Sequence, residues 1–241
     1  MRRTRHLLAI PMAAAFLVVS CSGKLAEQKG LTDSDLFSRG QQLLSKKKYD
    51  GAIEHFQLLL ERFPNSPLAP QAQLSLADAY MENDDNLEAE IAYDDFLRLY
   101  PAHGKVPYAL FRKGEILNRQ VGKPGRDQTK TVEAIRVYKR LLEQDPSGPY
   151  ADDAANRVAE LRNRLAENET LVISSYLSRK KYESAEARAR RALSEYSDTA
   201  SVPTLMSLLA EALEKEGKKE DAAEVRKSLR EKYGGPGDKK R

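Results

Sequence analysis

Three stretches of the chain repeat one pattern of apolar and polar positions. They read AIEHFQLLLERFP, AEIAYDDFLRLYP and AIRVYKRLLEQDP, and they begin at Ala52, Ala89 and Ala134. In each stretch an aromatic residue follows the alanine by four positions and a proline follows it by twelve: Phe56 and Pro64, Tyr93 and Pro101, Tyr138 and Pro146. Upstream of each stretch, a small residue precedes Leu or Tyr by three positions, as in Gly40-x-x-Leu43, Ala77-x-x-Tyr80 and Gly114-x-x-Leu117. Three matched copies indicate an internal structural repeat.

The repeated positions predict a helical hairpin. A small residue on each of two antiparallel helices lets their backbones approach closely, and the aromatic side chain fills the space beside that contact. Proline ends the second helix because it has no N–H to donate. The pattern resembles the tetratricopeptide repeat, and weaker copies follow around Ala185 and Ala222.

Two long gaps between the repeat alanines locate the irregular parts of the array. Consecutive alanines are 37, 45, 51 and 37 residues apart. The 45-residue gap contains VGKPGRDQTKT, residues 121–131, whose Gly and Pro residues predict a long turn within the third hairpin. The 51-residue gap contains residues 151–180 without Gly or Pro, which predicts one long helix, with a break near Asn168 as the alternative.

The fold predicted from these positions is all-α: a right-handed α-solenoid of five tetratricopeptide-like hairpins, about ten helices in total. The predicted organisation is repeats 1–3 over residues 34–147 and repeats 4–5 over residues 148–233. A disordered tail is expected at residues 234–241. Each hairpin cannot bury its apolar face alone, so stability is expected to come from stacking.

The first 21 residues predict export and lipidation. Arg2, Arg3 and Arg5 precede an apolar run from Leu7 to Ser20, which is shorter than the ~20 residues of a membrane-spanning helix and is typical of a signal peptide over residues 1–20. Cys21 is the only cysteine and directly follows Val18-Val19-Ser20, which resembles a bacterial lipoprotein signal.

Cys21 is therefore predicted to be the acylated first residue of the mature chain, with residues 21–33 as its tether. The alternative is an ordinary cleaved signal in which the cysteine is incidental. Ser22 stands where such lipoproteins carry an aspartate when they stay in the inner membrane, so the resemblance implies an outer-membrane location facing the periplasm.

Charge and composition disfavour several functional classes. Removing the signal lowers the formal net charge from +4 to about +1, so no nucleic-acid partner is expected. His6, His55 and His103 have no paired ligands in sequence, and the acidic stretch ENDDNLEAE lacks the glycine and ligand spacing of a calcium loop. We expect no catalytic residues, no metal and no cofactor.

A solenoid offers a concave surface lined by the first helix of each hairpin. Projecting that face onto the first three hairpins predicts a peptide-binding groove of nine residues: Phe37, Gln41, Leu44, Leu74, Asp78, Met81, Tyr108, Phe111 and Glu115. Alternating apolar and polar side chains suit an extended peptide, which needs both pockets and hydrogen bonds. The alternative is that several of these residues pack between repeats, because a phase error of one residue exchanges the two sets.

Arg188 is predicted to be a partner-binding residue because it has no acidic neighbour at helical spacing. Glu186 and Glu195 can pair with Arg190 and Arg191 at i,i+4, whereas Ser184 and Ala192 occupy those offsets for Arg188.

Taken together, the lipidation site and the order of the repeats resemble the BamD family, the tetratricopeptide lipoproteins of the machinery that inserts β-barrels into the bacterial outer membrane. The resemblance covers essentially the whole chain. It is most specific in FPNSPLAPQAQLSLADAY, in AYDDFLRLYPAHGKVPYALFRKG, in the RDQT of the long turn and in the helix RVAELRNRLAENE.

The resemblance implies a non-enzymatic scaffold with several partners. These are a POTRA domain of the insertase BamA, the other lipoproteins of the BAM complex, unfolded outer-membrane β-barrel proteins, and the membrane through the acyl chains. It also implies that Arg188 pairs with an acidic residue of BamA. Ser197 replaces a proline usual in the family, and the long turn is shorter than in some relatives, which puts any accessory contact through that turn in doubt. The remaining alternative is a pilotin-like or peptidoglycan-associated tetratricopeptide lipoprotein acting as a periplasmic adaptor.

Overall fold

The computed structural model describes residues 30–234, which form ten α-helices and no strand. In chain order the helices are α1 Asp33–Ser45, α2 Tyr49–Arg62, α3 Ala69–Glu82, α4 Asn86–Leu99, α5 Val106–Arg119, α6 Thr129–Gln144, α7 Ala151–Ser178, α8 Tyr182–Glu195, α9 Val202–Lys215 and α10 Lys219–Tyr233. The all-α prediction of about ten helices is confirmed. The predicted signal peptide, the acylated Cys21 and nearly all of the predicted tail lie outside the described residues.

Consecutive helices pack against each other along the whole array. The hairpins are α1/α2, α3/α4, α5/α6, α7/α8 and α9/α10, and each hairpin stacks on the next. The first helices of neighbouring hairpins also meet, since α1 contacts α3 and α7 contacts α9. This is the stacking that the repeat pattern predicts.

The small and aromatic positions of the repeat form the closest contacts within the hairpins. A Cβ at Gly40 would lie 2.6 Å from the Phe56 ring, and one at Gly114 would lie 2.5 Å from the Tyr138 ring. The five repeat alanines are all buried: Ala52, Ala89, Ala134, Ala185 and Ala222. The residues that define the repeat are therefore those that set the distance between its helices.

Short turns close four of the five hairpins with one residue in the left-handed region. These residues are Lys47, Asp84, Lys180 and Gly217, with φ of 56°, 63°, 58° and 84°. A left-handed residue reverses the chain directly after a helix, and glycine adopts this conformation at least cost. Three of the four positions nevertheless carry other residues. Those three turns therefore cannot be found in the sequence by looking for glycine.

The helix α7 runs without interruption over 28 residues, so the alternative break near Asn168 is wrong. Its two halves belong to different cores. Ala154, Val158 and Leu161 pack into the core that α3 to α6 form, whereas Ile173 and Leu177 pack into the core of α8 to α10. The long helix therefore joins two of the three hydrophobic clusters of the described residues, and the third lies between α1, α2 and α3.

The long turn between α5 and α6 lies against the middle of α7. Nη1 of Arg164 donates to the Gly122 carbonyl at 2.6 Å, and the Gly125 N–H donates to Oδ1 of Asn168 at 3.0 Å. Within the turn, Oδ1 of Asp127 accepts the Thr129 N–H at 3.0 Å at the start of α6. The Gly-Pro segment thus connects the third hairpin to the helix that begins the fourth.

Over residues 30–234 no helix has both the length and the apolar character that crossing a bilayer requires.

Candidate binding surfaces

The concave surface predicted on α3 is only partly open. Leu74 and Met81 are 9% and 1% exposed and pack in the central core, so their assignment to a groove is wrong. The reason is that α3 is covered by α1, α2 and α4 and buries residues on almost every side, including Gln73 and Ser75. The alternative reading, packing between repeats, holds for these two residues.

The predicted residues on α1 are half-buried and contact the neighbouring helices. The Phe37 ring lies 5.9 Å from the Phe56 ring, between centroids. Nε2 of Gln41 donates to the Ser75 hydroxyl at 2.6 Å, and Leu44 packs against the hydrophobic cluster that α1, α2 and α3 form. These side chains keep part of their surface open to solvent while they join the first hairpin to the second.

An aromatic cluster lies where the third hairpin meets α7. The rings of Phe111 and Tyr150 are stacked, with centroids 5.1 Å apart and an angle of 25° between planes. Tyr108 also contacts Tyr150, with ring centroids 5.9 Å apart. Tyr150 directly precedes α7 and escaped the sequence prediction because that prediction projected only the first three hairpins. All three residues are half-buried, so each keeps part of its surface open to solvent.

Asp78 anchors a polar network beside the aromatic cluster. Its Oδ1 accepts the Tyr108 hydroxyl at 2.8 Å and also accepts the Tyr93 hydroxyl. Burial raises the pKa of Asp78, and the two tyrosine hydroxyls oppose that change. The network fixes the direction of Tyr108, so Asp78 positions an aromatic residue and offers little free surface of its own.

Arg112 extends this network and was not predicted. It donates to Oε1 of Glu82 at 2.8 Å and to Oε2 of Glu115 at 3.1 Å, and its Nε lies 3.9 Å from Asp78. Of the contacts of Arg112, the sequence indicates only the pair with Glu115, through its i,i+3 spacing. Glu115, a predicted groove residue, is therefore held in an ion pair.

Arg188 has an acidic partner, so the prediction that it is unpaired is wrong. Its Nε and Nη2 donate to the two carboxylate oxygens of Glu169, at 2.6 and 3.0 Å. This bidentate contact raises the pKa of Arg188. Glu169 lies on α7, nineteen residues earlier, and a search at i,i+4 spacing within α8 cannot find it.

The other two arginines of α8 differ from each other. Nε of Arg190 donates to Oε1 of Glu186 at 2.7 Å, which confirms the pair predicted at i,i+4. Arg191 is exposed and forms no ion pair within residues 30–234, so the predicted pairing with Glu195 is absent there. A recess of about 300 Å³ lies beside Arg191 and Arg188, lined also by Tyr176, Ser184 and Ala187.

In the described part of the chain, no group of three or more His, Cys, Asp or Glu side chains is arranged to hold a metal ion. The candidate surfaces described above consist of aromatic rings, ion pairs and arginines. Such groups recognise other molecules by contact and charge.

Comparison with known proteins assigns the family. The profile of the YfiO family, described as outer membrane lipoprotein, matches residues 29–229. The chain belongs to the YfiO, or BamD, family. Among its relatives, the outer membrane protein assembly factor BamD of Neisseria meningitidis serogroup A is 30% identical over 237 residues, covering 92% of this chain and 89% of the relative. BamD of Vibrio cholerae serotype O1 is also 30% identical, covering 90% and 94%.

Solved structures of helical-repeat proteins are similar at a lower level. The TPR2AB domain of yeast Sti1, in complex with pHSP90, aligns with a TM-score of 0.46 and 17% identity over 83% of this chain and 76% of that one. The MamA protein aligns with a TM-score of 0.43 and 16% identity over 83% and 90%.

Proposed function

We propose that this protein is an outer-membrane protein assembly factor: a lipid-anchored periplasmic scaffold that docks on the BamA insertase and helps it to recognise and insert β-barrel proteins. The observation that carries the proposal is the family match, which extends over nearly the whole described array. The relatives that match over most of their length are named as assembly factors of this kind. The role requires shaped surfaces and no bond-making chemistry.

The anchor in this proposal is Cys21, which would carry the acyl chains. Two or more acyl chains hold a protein firmly at a bilayer, whereas one binds only marginally. Cys21 precedes the start of α1 at Asp33 by twelve residues, which can span at most about 40 Å. Confinement to that distance raises the effective concentration of the repeats near an insertase in the same membrane.

The client site in this proposal is the open part of the concave surface, centred on the aromatic cluster of Tyr108, Phe111 and Tyr150. An extended, aromatic-rich strand of an unfolded barrel protein could place a ring against Phe111 and Tyr150. Phe37 and Gln41 would receive the same strand further along the array. Leu74 and Met81 are no longer part of this site, because they are buried.

Replacement of Phe111 tests the client site. Phe111→Asp places a charge where two rings stack, so we expect binding of a synthetic peptide from the C-terminal strand of a barrel protein to fall at least tenfold, a loss of about 1.4 kcal/mol. Phe111→Leu keeps an apolar side chain and serves as the control, with a smaller loss. Fluorescence anisotropy with labelled peptide measures both. Equal peptide affinity in Phe111→Asp and the unaltered protein would remove the cluster from the client site.

Replacement of Arg188 tests docking. Because an acidic partner residue is proposed to meet this arginine, Arg188→Glu should weaken co-purification with BamA by about tenfold or more. Arg136→Glu is the control, since Arg136 is an exposed arginine on α6 that lines a recess shared with α4 and α5. Undiminished recovery of BamA with Arg188→Glu would contradict the docking proposal.

A further inference from the structure

We infer that the concave surface holds a subsite for one basic side chain of a client strand, in which Glu82 and Glu115 bind the cation and the hydroxyl of Tyr138 supports Glu115 from inside the fold. The subsite lies beside the aromatic cluster, and it rests on the client role proposed above. It deepens that role by stating the class of client: a strand that carries an arginine or lysine two residues away from an aromatic residue.

The second and third hairpins place a carboxylate and a tyrosine at matching positions of the repeat. Asp78 on α3 and Glu115 on α5 each directly follow the small residue of the first helix, and Tyr93 and Tyr138 each follow the repeat alanine by four positions. In the second hairpin the Tyr93 hydroxyl donates to Oδ1 of Asp78. In the third hairpin Tyr138 is fully buried, yet its hydroxyl has no hydrogen-bond partner among residues 30–234.

The carboxylate that matches Asp78 is held elsewhere, by Arg112. Nη1 of Arg112 donates to Oε2 of Glu115 at 3.1 Å. Burial, and after it the nearby charge of Glu115, raise the pKa of the Tyr138 hydroxyl, so these two side chains lie near each other. A cation from outside that competes with Arg112 would let one oxygen of Glu115 accept the Tyr138 hydroxyl while the other binds the cation.

The charges at this surface favour one additional cation. A single guanidinium, that of Arg112, bridges Glu82 and Glu115 at 2.8 and 3.1 Å. Two carboxylates against one guanidinium leave one negative charge uncompensated, and the pair of Arg157 and Glu160 on α7 is neutral overall. The side chains of Glu82 and Glu115 are 49% and 31% exposed, so a basic side chain can reach both.

The aromatic cluster forms the other side of the subsite. Phe111 precedes Glu115 by four residues of α5, and its ring stacks on that of Tyr150 with centroids 5.1 Å apart. The faces of aromatic rings attract guanidinium and ammonium groups. Arginine is the preferred occupant, ahead of lysine, because its planar guanidinium can stack on a ring and also form paired hydrogen bonds with a carboxylate.

The spacing of side chains along an extended strand gives the sequence pattern of the client. Residues two apart in a strand project from the same face and lie about 6–7 Å apart. Phe111 and Glu115 are separated by a similar distance along α5, ~6 Å. A strand that seats an aromatic ring against Phe111 therefore brings the side chain two residues away to Glu115. An acidic side chain at that place would meet two carboxylates and be repelled.

The experiment compares the binding of three fluorescent peptides to the full-length protein, purified in detergent, by anisotropy. The peptides have about ten residues, the length of one barrel strand. They share one aromatic residue and differ only at the position two residues from it, where they carry arginine, glutamine or glutamate. We expect the arginine peptide to bind about fivefold or more tightly than the glutamine peptide, and the glutamate peptide to bind most weakly. Added salt should reduce these differences.

Variants of the protein locate the preference for arginine. Glu115→Gln should remove most of it. Tyr138→Phe should reduce it by about twofold to fivefold through the loss of one hydrogen bond, with the fold kept, since Phe56 occupies the same repeat position in the first hairpin. Glu224→Gln is the control and should keep the preference, because Glu224 is exposed on α10 in the last hairpin.

The outcomes separate the subsite from the client role on which it rests. If Phe111→Asp weakens binding of all three peptides while the arginine and glutamine peptides bind the unaltered protein equally, the client site stands and the subsite is wrong. A preference for arginine that is the same in Glu115→Gln and in the unaltered protein also contradicts the subsite. A preference unchanged in Tyr138→Phe removes the hydroxyl from it. If Phe111→Asp changes nothing, the client site and the subsite are both wrong.

Discussion

At the residue scale, the repeat depends on how closely two helices approach, and Gly114 shows this most clearly. It is buried on α5 against the ring of Tyr138, which is itself fully buried. Gly40 makes the same contact with Phe56 in the first hairpin. Glycine is thus needed at both positions because the aromatic ring leaves no room for a Cβ. A side chain at either position would push the paired helices apart.

Gly114→Ala should therefore destabilise the protein although alanine favours helix. Alanine gains about 1 kcal/mol in helix propensity, but its Cβ would lie 2.5 Å from the Tyr138 ring and overpacking costs about 1–3 kcal/mol. The difference between these two effects is a fall of up to about 2 kcal/mol in the free energy of unfolding, measured in urea. Gly104→Ala is the control, since no atom lies within 4 Å of its added Cβ. If Gly114→Ala were more stable than the unaltered protein, the contact with the Tyr138 ring would not be what excludes a side chain at position 114.

The residues also show where sequence reasoning succeeds and where it fails. The five repeat alanines, and the aromatic partners of the first three, could be located because their spacing is fixed by contacts within one hairpin. Met81 could not be placed, because whether it is buried depends on how many neighbours cover α3. Arg188 was misjudged for a similar reason: its partner Glu169 comes from another helix, and sequence spacing reports only partners on the same helix.

At the scale of elements, α7 and the long turn that lies on it connect the two parts of the array. The helix contributes its first half to one core and its second half to the other. The turn is fixed to its middle by Arg164 and Asn168. The absence of Gly and Pro from residues 151–180 predicts the long helix correctly, whereas nothing in the sequence indicates that the turn packs on it.

Asn168→Ala tests this attachment. The variant removes the acceptor of the Gly125 N–H without changing the helix, and a lost hydrogen bond of about 1 kcal/mol corresponds to about fivefold faster amide exchange. Hydrogen exchange followed by NMR should show this acceleration at Gly125, with α7 itself unaffected. Asn156→Ala, an exposed position in the first half of α7, provides the comparison. Unchanged exchange at Gly125 would mean that other contacts hold the turn.

At the scale of the whole molecule, the two cores that α7 joins correspond to two different tasks in the proposed function. The hairpins of the first core carry the aromatic cluster proposed for clients, and α8 carries Arg188, the arginine proposed for docking. Because α7 is continuous, a client on one part and an insertase on the other would be held at a fixed separation along one helix. The family resemblance implies both partners from the sequence, but the sharing of α7 between two cores required the structure.

The most direct test is to purify the full-length lipidated protein from bacterial membranes by an affinity tag and to identify the partner that accompanies it in equal amount. The account predicts BamA, with mature chains beginning at an acylated Cys21. Recovery of a secretin or of cell-wall components in equal amount, without BamA, would contradict it.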